Sequence, residues 1–190
     1  RDHPLVLKLM PVYSLFMIAN VTFYVFVDNY LTTAFGYGIV GGSVAMVVIG
    51  FALAFSSTFL VKPVQERVSK TTIILASLIV MVICGFAFTV ITNKILIYVP
   101  PFFFYFFFGV AYPTLLGLFS ASVGDEDQGW VMGVTTAVFC LAGGIMSLIS
   151  GGLTGIDIRM PYFIVILAGM AGVITLLMTW RSEKMKSLLR

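Results

Sequence analysis

Asn20, Tyr24 and Asp28 follow one another at four-residue spacing, which sets an amide, a phenol and a carboxylate on one face of a helix. Asp28 is the one acid well inside an apolar stretch. A lone carboxylate is costly in hydrocarbon, so intramembrane acids usually face a cavity and take up a proton or cation there. Desolvation favours the neutral acid, which makes Asp28 a candidate proton-coupling residue for which a cationic solute could compete. A carboxyl near the outer interface, capped by water, is the plain alternative. Tyr105 and Tyr112 lie seven residues apart, close to one helical face, and Pro113 beside them removes a backbone donor and should kink the helix. With Asn20 and Tyr24 they form a candidate substrate-binding set of ring faces, hydroxyls and one amide, suited to a neutral or cationic organic molecule. The six phenylalanines around Tyr105 encircle the helix, meet lipid or neighbouring helices, and receive no site role.

The charged residues cluster. Glu66, Arg67 and Lys70 lie in the segment KPVQERVSK at 62–70, and Asp125, Glu126 and Asp127 lie in GDED. On one side of a membrane these groups could pair as a latch, although exposed pairs contribute only about 0 to 1 kcal/mol each. The basic segment is otherwise an ordinary membrane-surface anchor. Catalysis has little to work with. The one histidine, His3, is remote from any serine or cysteine partner, and with Cys84 and Cys140 it gives no metal-ligand spacing. No enzyme, cofactor, metal or disulfide is expected.

The elements that must hold these groups follow from hydropathy. Of 190 residues, 60% are hydrophobic and only 10% charged, against about a quarter charged in soluble domains. Mean hydropathy is +1.08. A water-soluble core is excluded. Charge-free intervals predict an all-α integral membrane protein with six transmembrane helices at about 9–33, 40–61, 71–91, 99–122, 128–150 and 161–181. The net charge of +3 does not point to nucleic acid, because the basic residues sit at span ends. Nine of them fall on one side (Arg1, Lys8, Lys62, Arg67, Lys70, Arg181, Lys184, Lys186, Arg190) and two on the other (Lys94, Arg159). Both termini are therefore expected on the cytoplasmic face of a cell (inner) membrane. A chain that begins with Arg1 reads as a fragment or processed product. Within helix five, small residues recur as Gly129, Gly133, Ala137 and then Gly143, Ser147, Gly151, a face that favours close helix packing.

KPVQERVSK resembles the signature loop of the major facilitator superfamily, with Glu66 and Arg67 as its acidic-basic pair and Lys70 as its last basic residue; Lys62 and Ser69 replace expected glycines. QGWVMG, with Gln128, Gly129 and Gly133, resembles the start of the eleventh helix of drug-exporting members. The resemblance implies half of a major facilitator fold, the C-terminal half, with helices one, two, four and five around a central cavity and three and six peripheral. It also implies alternating access by two six-helix halves, so that one half alone would not transport and the missing N-terminal half or a second copy is needed. Its lipid-embedded work would be proton-coupled efflux of a small organic solute, with Glu66, Arg67, Lys70, Asp125, Asp127 and Pro113 as gating residues. A metabolite, sugar or siderophore transporter is the alternative within the superfamily; a channel or a structural membrane subunit is the alternative outside it.

Overall fold

The computed structural model describes residues 3–179, which form six long helices and no strand among them. All six are long and apolar enough to cross a membrane. Helix α1 spans Pro4–Phe35 and stops at Gly36, whose left-handed backbone (φ 66°) lets its amide cap the Leu31 carbonyl. Helix α2 runs through Ile39–Phe55, a π-helical turn at Ser56–Leu60 and Val61–Arg67. Helix α3 is Lys70–Val90, α4 is Val99–Ala121, α5 is Gln128–Ile156 and α6 is Met160–Thr179.

Three boundaries depart from the sequence reading, the first being that of α1, which begins at Pro4 rather than near residue 9. The charged segment 62–70 was expected as a loop, yet the helix continues to Arg67 and only Val68 and Ser69 break it. Pro63 is tolerated because its missing N–H falls in the first turn after the π-helical segment, where the ladder is already shifted. Ser69 then caps α3 by accepting from the Thr72 amide at 3.3 Å. Helix α5 runs on to Ile156, past the expected end at 150. The expected end of the last span at 181, and the basic residues Arg1, Arg181, Lys184, Lys186 and Arg190, lie outside the described residues.

Helix α1 is the centre of the bundle, with 61% of its most apolar stretch buried, against 22% for α2 and 17% for α5. Lipid tails are as apolar as the helices, so packing rather than water exclusion must hold such a bundle together. An aromatic cluster supplies much of it. Phe23 of α1 stacks on Phe104 of α4 at 4.4 Å and meets Tyr162 of α6 edge-on at 5.5 Å, while Phe88 of α3 lies 4.8 Å from Tyr162. Such pairs contribute about 0.5–1.5 kcal/mol each beyond area burial. They fix α3 and α6 against one flank of α1 and leave α2 and α5 on the other.

Candidate functional site

A cavity of about 410 Å³ opens on that other flank. Its walls come from α1 (Met17, Asn20, Val21, Tyr24, Val25), α2 (Leu53), α4 (Tyr105, Phe108, Tyr112) and α5 (Phe139, Gly143), with nothing from α3 or α6. Asn20, Leu53, Phe108 and Gly143 each sit near the middle of their helices, so the cavity lies at mid-depth of the bundle. Four sequence-predicted residues, Asn20, Tyr24, Tyr105 and Tyr112, thus converge on one space.

Helical spacing explains the convergence. Asn20 and Tyr24 are one turn apart on α1, and Tyr105, Phe108 and Tyr112 are neighbours along one face of α4. The Phe108 ring is sandwiched, parallel to Tyr112 at 5.4 Å and to Phe16 at 5.1 Å, so its orientation is fixed by packing. The Tyr105 hydroxyl donates to the Asn20 carbonyl at 3.4 Å and ties α4 to α1 at the cavity wall. Tyr24 is half exposed, at 51%, whereas Asn20 is only 6% exposed. The Asn20 Oδ1 is buried without a hydrogen-bond partner. An orphaned buried acceptor costs about 1–3 kcal/mol, so a donor arriving there recovers that cost. No charged side chain lines the cavity among the described residues.

The third member of the α1 series behaves differently. Asp28 is exposed and absent from the cavity wall. Its carboxylate sits against the backbone of Gly42 in the second turn of α2, so closely that a Cβ there would overlap its Oδ1. Two helical turns separate it from Asn20, about 12 Å of rise. The four-residue spacing aligned the three side chains but could not show that α2 crosses over the last of them.

Beside the cavity, α2 makes its π-helical turn. The Leu53 carbonyl accepts from the hydroxyls of Ser56 at 3.2 Å and Ser57 at 2.6 Å, which satisfy it where the regular ladder is interrupted. Gly109 of α4 packs onto this turn: an added Cβ would overlap Ser56 Oγ and come within 3.3 Å of the Leu53 carbonyl oxygen. Pro113 is half-buried within α4, one turn further on.

The charged groups lie at the end of the bundle that carries both described termini. Glu66 and Arg67 are exposed, and no salt bridge joins Glu66, Arg67 or Lys70 to Asp125 or Asp127 among the described residues. Instead Gln65 Nε2 donates to Thr114 Oγ1 at 2.8 Å, linking α2 to α4, and Asp125 accepts from Gln128 at 3.1 Å. Asp127 lies 3.4 Å from His3 Nε2, and the His3 ring lies 5.2 Å from Trp130. The small residues of α5 are also placed unexpectedly: Cβ atoms added to Gly129, Gly133 or Gly151 would meet nothing within 4 Å, and only Gly143 approaches a neighbouring helix, at Val21.

Sequence reasoning missed Phe108, Phe139, Leu53, Met17 and Gly143 as cavity residues. Phe108 was legible, three residues after Tyr105 and four before Tyr112 on the same face. The others carried no signal, since an apolar residue in an apolar helix does not announce which neighbour it will meet. No known family model matches the chain and no curated protein matches it in sequence, so the superfamily resemblance rests on the KPVQERVSK and QGWVMG residues alone.

Proposed function

We propose that this chain is one six-helix half of a major-facilitator-type secondary transporter that exports a small organic solute by alternating access. The observation that carries the reading is the mid-depth cavity walled by helices one, two, four and five, where Asn20, Tyr24, Tyr105 and Tyr112 meet. Transporter sites lie near the bilayer midplane between repeats. Five aromatic rings and one amide suit an aromatic, drug-like solute better than a sugar, which needs a dense set of hydrogen-bonding groups. The uncovered small-residue face of α5 beside this cavity suits a second six-helix unit, the missing half or another copy, seated against it. Asp28, one turn beyond Tyr24, is the proton-coupling candidate, and the charged residues of the terminal end, with Pro113, are the gating candidates. On this reading both termini face the cytoplasm, the side the excess of basic residues at span ends favours.

The test is reconstitution of the chain with and without its partner unit. Saturable, proton-driven movement of an aromatic solute is expected only with the partner present, and it should be lost in Gly143→Leu, which fills the cavity. Transport by a monodisperse, monomeric preparation of the chain overturns the half-transporter reading.

A further inference from the structure

On the outer flank of the bundle, away from the transport cavity, an apolar groove of about 240 Å³ runs between α2, α3 and α4. Leu60, Val64 and Val68 form one wall, Ile73 and Ala76 the second, and Phe106 and Phe107 the third. Other grooves on the lipid-facing surface, such as that between Ile79, Ile83, Met170 and Ile174, are bounded by apolar residues alone. This one differs at its mouth. It opens at the end of α2 and the start of α3, where Arg67 lies one turn after Val64 and Lys70 one turn before Ile73. The hydroxyls of Ser69 and Thr72 pair there at 2.8 Å, and Thr72 itself lines the groove. Neither Arg67 nor Lys70 has a carboxylate partner among the described residues.

The geometry points to a site for a single anionic phospholipid, one acyl chain in the groove and its phosphate between Arg67 and Lys70. The apolar length and the charged mouth are in the order a lipid presents them, chain at bilayer depth and headgroup at the helix ends. Basic groups at such a position attract acidic headgroups. A soluble anion would use the two cations and leave the groove unfilled; a neutral lipid would fill the groove and leave the two cations unmatched. The site stands independently of what the central cavity carries.

Native mass spectrometry of the purified chain, titrated with phosphatidylglycerol or with phosphatidylcholine of the same acyl chains, tests this. One phosphatidylglycerol should remain bound at concentrations where phosphatidylcholine is lost. Arg67→Gln with Lys70→Gln should weaken that binding about thirtyfold, from two surface cations. Ala76→Phe fills the groove and keeps both charges, and it should abolish retention; Val64→Trp is a second groove-filling variant should the first fold poorly. Lys62→Gln removes a charge from the opposite face of the same helical segment and should leave binding intact. Unchanged retention in the double variant, an equal loss in Lys62→Gln, or displacement of the lipid by inorganic phosphate would each overturn the assignment.

Discussion

Replacing Gly109 by alanine perturbs the point where α4 leans on the π-helical turn of α2. The new Cβ would overlap Ser56 Oγ and sit 3.3 Å from the Leu53 carbonyl oxygen and 3.4 Å from Ser56 Cβ. Overpacking of this kind typically costs about 1–3 kcal/mol. Alanine in a helix interior recovers about 1 kcal/mol relative to glycine, so a net loss of about 1 kcal/mol is expected. Ser56→Ala alone should cost about 0.5–1 kcal/mol, since the Leu53 carbonyl keeps its 2.6 Å bond from Ser57. In the double variant the overlapping oxygen is gone and the remaining neighbours are tolerable contacts. The pair should therefore be at least as stable as Ser56→Ala, a coupling of about 1–2 kcal/mol, read by reversible unfolding of the purified chain in bicelles. If the two effects add within about 0.5 kcal/mol, Gly109 and Ser56 do not touch as described and the reasoning fails.

Tyr13 donates to the Thr135 carbonyl at 3.2 Å, joining α1 to α5, and Tyr13→Phe should cost about 1 kcal/mol of stability in the same unfolding assay. If the proposed transport function holds, Asp28→Asn in the complete assembly should abolish pH-driven transport while leaving solute exchange; wild-type pH dependence in that variant would move coupling elsewhere. Gly42→Ala should reproduce that phenotype without loss of stability, because it displaces only the end of the Asp28 side chain. Asn20→Leu should weaken binding of aromatic solutes carrying an N–H or O–H by about tenfold, as measured by ligand-induced thermal shift, with little effect on solutes lacking a donor.

The six spans were legible because lipid demands long uncharged stretches, and Asp125 to Asp127 marked one turn unambiguously. Tyr24 and Asn20 were legible as cavity residues from polarity on an apolar helix. The π-helical turn was not, since Ser56 and Ser57 read equally well as ordinary helical serines until α4 is seen to press Gly109 against them. Charge misled at 62–70: Lys62, Pro63 and Glu66 suggest a loop, but a helix end emerging from a bilayer carries the same residues. The separation of Asp28 from the cavity depends on where α2 crosses α1, which no local spacing encodes.

The ties between helices also bear on how the bundle can deform. Helices α2 and α4 are riveted along their length, by Tyr98 donating to the Gly41 carbonyl at one end, Gly109 on Ser56 at mid-depth and Gln65 on Thr114 at the other. Helices α1 and α5 are joined separately through Tyr13 and Thr135. The cavity lies between these two pairs, so a scissoring of one pair against the other would change its width. That movement works against the Tyr105 bond of 3.4 Å and the Phe16–Phe108 and Phe23–Phe104 ring contacts across the seam, and leaves every rivet in place.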